Sequence, residues 1–432
     1  MYSGSSTATT SSPRAPEAAT SLWKAGEKAV SIDRRSHMSS EDRTNQGSVS
    51  DEGMTASGKT PMEQAGGGKA RAGPAPRHEG LTRLRFVLIG WVVLYHLDLT
   101  LRVTGVLPWL RPVLGVGYLG VDGFFLLSGF ALWLGYGSRS LLDFSSFGRF
   151  LLRRLAKIWP LHALALLALL AVVGLAQVGG VAIRDPERFR AGDFLLQLFL
   201  VNAWETTERH AWNYPSWALS VEWAGYLAFP AALLLFRRSR TVFLVALAAA
   251  AVAGLFWLTA LAGDVGLNHT LHLGLVRFAL EFSLGLALGR LATEGWLPRV
   301  PVLAFTLAVP LGLGLRWDAL TVVGLAAVIV ALWQRPAAAA GRAARPDLLL
   351  RLGEASFGVY LCWVFIEIAL VGVLRVAEPG PGGRVLLMAA GFAANLAAGW
   401  LAWRLVEVPA HRWILERAEP RARLDPARSA TR

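Results

Sequence analysis

The sequence predicts an all-α, polytopic membrane helix bundle of about ten transmembrane helices with both termini cytosolic, and three observations carry that prediction. Apolar residues fill 54% of the 432 positions and charged residues only 17%, with a mean hydropathy of +0.44, so the chain lacks the material for a solvated surface. Apolar runs near the roughly 20 residues that a helix needs to cross about 30 Å of hydrocarbon recur from residue 84 onward. Lys and Arg gather between alternate runs, the positive-inside pattern. A soluble globular enzyme is excluded. The 17 Trp suit a chain with two membrane interfaces. The single cysteine, Cys362, excludes an internal disulfide framework and a Cys-based zinc site, and no metal is expected. The net charge of +13 arises almost wholly in the hydrophobic part, so a lipid bilayer and not nucleic acid is the expected partner.

Residues 1–79 are rich in Ser, Thr, Gly, Ala and Pro with nearly balanced charge. Such a segment cannot bury enough apolar surface to offset the entropy of ordering, which predicts a disordered cytosolic N-terminal tail. It contains no apolar stretch of the kind a cleavable leader needs, and a short amphipathic helix near residues 20–35, around Leu22, Trp23, Val30 and Ile32, stays open. Residues 80–415 form the membrane domain and 416–432 a short basic C-terminal tail.

The ten apolar runs are 85–105, 116–136, 155–177, 217–236, 241–261, 271–292, 301–315, 319–334, 353–374 and 385–404. An eleventh piece, 194–204, is too short to span and is read as re-entrant or interfacial. With the N-terminus inside, the inner segments collect Arg83, Arg139, Arg149, Arg153, Arg154, Lys157, Arg237, Arg238, Arg240 and Arg290, while the outer ones are sparser in positive charge.

Ionisable side chains inside a span cost a few kcal/mol on insertion scales, which makes each a functional hypothesis. Arg85 and His96 lie eleven residues apart in the first run, about 16 Å along one helical face, where they either line one channel or are separately satisfied by snorkelling and by a neighbouring helix. Asp122, in the outer half of the second run, stands at the depth of His96. It can orient the imidazole, while Gly120, Gly123, Ser128 and Gly129 around it suit close helix packing. Arg154 and Lys157, with Arg153 beside them, are placed at a helix N-terminus, where cations and free N–H groups suit phosphate. Glu222 follows Trp217 in the fourth run and faces protein or a wet cavity. Arg277 and Glu281 can pair on one face, and Glu407 closes the last run as a cap.

The order Arg85-x10-His96, Gly120-Val121-Asp122-x-Phe124-Phe125-x-x-Ser128-Gly129-Phe130, Arg153-Arg154-x-x-Lys157-Ile158-x-Pro160 and Ser216-Trp217-x-Leu219-x-x-Glu222-x-x-x-Tyr226 resembles acyltransferase family 3, integral membrane O-acyltransferases. Arg277-x3-Glu281-Phe282, Ser356-Phe357-x-x-Tyr360-Leu361 and Glu407-x-Pro409 look like its later helices. The resemblance runs over about residues 81–413. It implies transfer of an acyl group, commonly acetyl from cytosolic acyl-CoA as co-substrate with no bound cofactor, to a hydroxyl of a glycan or small secondary metabolite, in a bacterial plasma membrane. Carried over by position, His96 is the catalytic base. Arg85, Arg154 and Lys157 engage the donor, and Ser128, Trp217, Glu222 and Tyr226 belong to the signature. Lys157 replaces the family's second Arg, turning bidentate phosphate recognition into point-charge attraction. Trp363 stands where many members carry His. The rival reading is a secondary transporter or channel using the same ionisable residues, but no inverted repeat is visible.

Overall fold

A computed structural model describes residues 78–183, 185–262, 266–335 and 347–418. The predicted N-terminal tail up to residue 77, with its candidate amphipathic helix, and the C-terminal tail from 419 lie outside the described residues. The described residues are helices and their connections, with no strand. The helices are α1 (Glu79–Leu101), α2 (Leu119–Tyr136), α3 (Phe144–Val178), α4 (Ala191–Leu198), α5 (Ser216–Arg238), α6 (Thr241–Ala262), α7 (Gly274–Thr293), α8 (Arg299–Phe305), α9 (Ala308–Leu315), α10 (Asp318–Trp333), α11 (Leu348–Glu354), α12 (Ser356–Val376), α13 (Pro381–Ala402) and α14 (Val408–Ala418).

Each of the ten predicted runs coincides with a helix or helix pair. Among the described residues, seven segments are long and apolar enough to cross a membrane: those containing α1, α2, α3, α5, α6, α12 and α13. Helix α7 has 20 residues but carries Arg277, Glu281 and Arg290, and the seventh and eighth runs give the shorter helices 299–315 and 318–333.

Basic ends of successive helices are tied together. Arg83 of α1 meets Asp347, Arg237 of α5 donates to the Arg139 carbonyl, and Arg290 of α7 to the Phe236 carbonyl. The opposite ends join through Thr100 with Glu367, Tyr118 with Asp318, and Arg384 with the Leu101 carbonyl. Helix α1 runs through the middle, packed on α2, α10, α12 and α13. Helices α2 and α7 touch backbone to backbone. A Cβ added at Gly129 would stand 2.2 Å from the Phe282 carbonyl oxygen, and one at Gly285 would stand 2.3 Å from that of Leu126. Gly120 and Gly123 likewise admit Leu88 of α1. The packing reading of the small residues in the second run is therefore correct.

One expectation changes. Helix α3 begins at Phe144 and not near 155, because the Asp143 carboxylate caps it by accepting the Ser146 N–H at 2.8 Å. Arg153, Arg154 and Lys157 therefore lie in a helix interior, where no free backbone N–H remains to join them in holding phosphate. The 194–204 segment, read as re-entrant or interfacial, packs against the middle of α3. The Leu198 carbonyl accepts from Trp159 and the Gln197 carbonyl meets His162, sixteen or more residues, about 24 Å, before the far end of α3. Its continuation is stitched to the first turns of α5, with Ala203 N–H on Ser220 Oγ and the Trp204 indole on the Ser220 carbonyl.

Candidate active site

His96 lies five residues before the end of α1, and the stretch between α4 and α5 brings Tyr214 to it. The Tyr214 hydroxyl is 2.8 Å from His96 Nδ1. The Trp363 indole of α12 stacks on the imidazole at 4.0 Å and 9°, and Tyr95 meets its edge at 4.9 Å. Tyr360, one turn before Trp363, donates to the Pro215 carbonyl at 2.7 Å, which anchors the peptide beside Tyr214. The ring is thus held in plane by an indole and in rotation by a hydroxyl. His96 is half-buried, and its Nε2 makes no hydrogen bond to a described residue. Trp363, remarked in the sequence only as a departure, and Tyr214, passed over in a polar loop, are the residues that define this imidazole.

Asp122 does not reach His96. Both of its oxygens are taken by Arg277 of α7, through Nε at 2.9 Å and through Nη2. The reason is physical: a guanidinium is always charged and matches a carboxylate with two donors, whereas a neutral imidazole offers one. Asp122, Arg277 and Glu281 are all fully buried. Arg277 also donates to the His269 carbonyl and lies 5.5 Å from the Trp217 ring, which makes Trp217 part of its cage. Glu281 stands 3.7 Å from Arg277, a looser contact than the pairing expected from their spacing, so Asp122 is the principal partner.

A second polar group lies nearer the basic end. Glu222 accepts from Ser128 Oγ at 2.6 Å and from Tyr226 Oη at 2.7 Å on the same oxygen. The Arg154 guanidinium sits 5.5–5.6 Å from the rings of Phe150, Tyr136 and Tyr226, with Nε buried and unpartnered among the described residues. Arg85 lies within electrostatic reach of Glu407 and Glu222. Lys157 is ion-paired with the buried Glu407, and Arg153 has a partner of its own. The structure therefore gathers Arg85, Arg154, Ser128, Glu222 and Tyr226, with Lys157 and Glu407 adjoining. Trp217 and Asp122 it places in a separate, fully buried cluster.

Two cavities flank this arrangement. One, an open groove of about 720 Å³, is lined by Asp185, Pro186, Glu187, Arg188, Arg209, His210 and Tyr214, the last of which bonds His96. The other, of about 380 Å³, lies at the basic end beside Lys157, Glu407, His411 and Arg412. The geometry offers an imidazole with one ring nitrogen bonded to a hydroxyl and the other without a partner among the described residues, the layout of a general base, and cations toward one end that suit an anionic ligand.

Comparison with known proteins agrees with the resemblance read from the motifs. A family model described as an acyltransferase domain matches residues 78–404. Acyltransferase MdmB of Streptomyces mycarofaciens is 29% identical over 355 residues, 72% of this chain and 85% of that protein. Exopolysaccharide production protein ExoZ of Rhizobium meliloti (strain 1021) is 28% identical over 306 residues, 68% of this chain and 89% of its own. No solved structure matches. The match covers most of the chain and every motif quoted above up to Arg404, and the chain is a multi-pass membrane acyltransferase belonging to acyltransferase family 3.

Proposed function

We propose that the chain moves an acyl group, acetyl in the simplest case, from cytosolic acyl-CoA to a hydroxyl of a glycan or secondary metabolite. The membrane is the bacterial plasma membrane, with both termini and the basic end facing the cytosol. The observation that carries this reading is the His96 imidazole, hydrogen-bonded at Nδ1 to Tyr214 and stacked on Trp363, with no hydrogen bond at Nε2 among the described residues. The name of the second relative, an exopolysaccharide production protein, supports a glycan acceptor.

In this reaction CoA enters at the basic end with its phosphates held by Arg85 and Arg154, and with Arg153 and Lys157 at the mouth. The pantetheine arm carries the thioester toward His96. Nδ1–H donates to the Tyr214 hydroxyl oxygen, which leaves the Nε2 lone pair free. The acceptor oxygen attacks the thioester carbonyl as its proton passes to Nε2. The tetrahedral intermediate then expels the CoA thiolate, which takes that proton from the imidazolium, so the ester and the free thiol leave and the enzyme is restored. Asp122 takes no part. Its pairing with Arg277 holds α2 against α7 and so keeps Ser128 under Glu222.

Labelled acetyl-CoA supplied to inside-out and to right-side-out vesicles containing the protein tests both chemistry and sidedness. Label is expected in the acceptor only when the cytosolic face is exposed to donor. Equal labelling in both orientations, or none with donor on the cytosolic side, contradicts the proposal.

A further inference from the structure

The 2.8 Å hydrogen bond between Tyr214 Oη and His96 Nδ1 can run in either of two directions. If Nδ1–H donates to the phenol oxygen, Nε2 keeps its lone pair; if the phenol donates to Nδ1, the ring proton sits on Nε2 and the base is lost. Nothing within the pair chooses between them. Burial first, and then the charge of Glu367, hold the Tyr214 phenol well above its ordinary pKa, so the hydroxyl stays protonated and its own proton needs an acceptor. The other polar groups that face this phenol have partners of their own. Tyr360 donates to the Pro215 carbonyl, Arg188 Nε to the His210 carbonyl, His210 Nε2 meets Thr270 at 3.3 Å, and Tyr95 Oη accepts from Asn268. Glu367 remains. Trp363 of α12 stacks on His96 of α1, and one turn further along both helices, about 6 Å, Glu367 faces Thr100, whose hydroxyl stands 3.4 Å from both the His96 carbonyl and Glu367 Oε1. The carboxylate is therefore the next rung beyond the imidazole and indole. It is half-buried and within electrostatic reach of Tyr214 and of Arg188.

We infer that Glu367 is a positioning residue that fixes the direction of this bond: its negative charge turns the Tyr214 O–H toward α12, so the phenol presents a lone pair to His96 and the ring proton is kept on Nδ1. The inference rests on the acyl-transfer reading for the use made of Nε2, while the claim about the tautomer stands without donor or acceptor. No hydrogen bond joins Glu367 to Tyr214 directly, so the carboxylate acts by its charge, and in a half-buried place a charge is screened far less than at a surface. The Arg188 guanidinium and the Thr100 hydroxyl both favour the ionised form of the carboxylate. A carboxylate within a span is costly, and orientation of the imidazole's partner gives this one a function. No bond to Glu367 forms or breaks during the reaction. Tyr214 keeps its proton throughout, and only Nε2 takes one up and returns it.

Two measurements on the purified full-length protein in nanodiscs test this. The first is nitrogen NMR of histidine-labelled protein at neutral pH without substrates, the His96 signals being those absent from His96→Gln. Native protein is expected to carry its proton on Nδ1 with Nε2 bare. Glu367→Gln and Glu367→Met each keep the bulk and drop the charge, so the test survives if one of them fails to fold; either should show a mixture of tautomers, and Glu367→Asp should return the signal toward the Nδ1–H form. The second is thiol release from acetyl-CoA at saturating acceptor. Glu367→Gln should lower kcat by about two- to tenfold, the range open to one hydrogen bond, with the donor KM unchanged. Made on top of Tyr214→Phe, the same substitution should cost less than about twofold, because the hydroxyl it steers is gone. An unchanged tautomer in the folded variants, or an equal loss of kcat with and without the Tyr214 hydroxyl, overturns the inference. A protein whose His96 tautomer depends on Glu367 but which never releases thiol from acetyl-CoA keeps the inference and loses the acyl-transfer reading.

Discussion

Tyr214→Phe removes one hydroxyl and leaves the ring, so it isolates what the 2.8 Å contact with His96 Nδ1 contributes. A hydrogen bond of this kind is worth about 0.5–1.5 kcal/mol net. If it selects the tautomer with Nε2 unprotonated, its loss lowers the competent fraction by roughly twofold to tenfold, and kcat falls by that factor. His96→Ala, by contrast, removes the base and should cost about 10²–10⁴. The stack with Trp363 and the anchoring of Pro215 by Tyr360 both survive the Phe substitution, so the imidazole keeps its place. The assay is thiol release from acetyl-CoA by purified protein with saturating acceptor, read against pH for native, Tyr214→Phe and His96→Ala. A Tyr214→Phe enzyme as fast as native shows that the hydroxyl does not set the tautomer. One as slow as His96→Ala shows that Tyr214 itself carries the proton, and either result refutes the reasoning.

Asp122→Ala leaves the buried Arg277 with only its looser contact to Glu281, and should destabilise the protein by up to about 3–5 kcal/mol. Thermal unfolding in detergent should show a lower midpoint, and Asp122→Leu with Arg277→Met should recover much of it; full stability of Asp122→Ala with lost activity would assign the carboxylate to the chemistry. Gly129→Ala places a Cβ 2.2 Å from a carbonyl oxygen and should abolish recovery of folded protein, whereas Gly135→Ala on the same helix meets nothing within 4 Å and should be tolerated, as size-exclusion profiles will show. Arg154→Ala should raise the KM for acetyl-CoA with kcat nearly unchanged, because a phosphate contact is made equally in ground and transition states. An unchanged donor KM removes Arg154 from the donor site.

Much of the bundle is legible in the chain because spanning a bilayer is a one-dimensional requirement: about 20 apolar residues suffice, and each such run is helical here. The start of α3 was not legible in hydropathy, since the stretch from Phe144 to Arg154 is polar enough to read as a loop; its signal is Asp143 followed by two serines, a cap pattern. Of the site, Arg85, Ser128, Glu222, Tyr226 and Arg154 do gather, because residues placed at similar depth on neighbouring helices meet. Depth alone did not choose partners. Asp122 and Arg277 are separated by 155 positions, and only the close contact of α2 with α7, made possible by Gly129 and Gly285, brings the guanidinium nearer than the imidazole. Tyr214 could not be found by depth at all, because it belongs to the irregular stretch between α4 and α5, outside every apolar run. Its local signal is an aromatic residue just before the proline that precedes α5.

The most direct measurement of the central claim is transfer of labelled acetyl from acetyl-CoA to acceptor by folded His96→Gln protein, which retains a polar side chain but has no base. A loss of at least about a hundredfold in kcat, with acceptor affinity and donor KM close to native, is the result predicted for a general base. Transfer within a few-fold of native would contradict it and move the chemistry away from the imidazole between Tyr214 and Trp363.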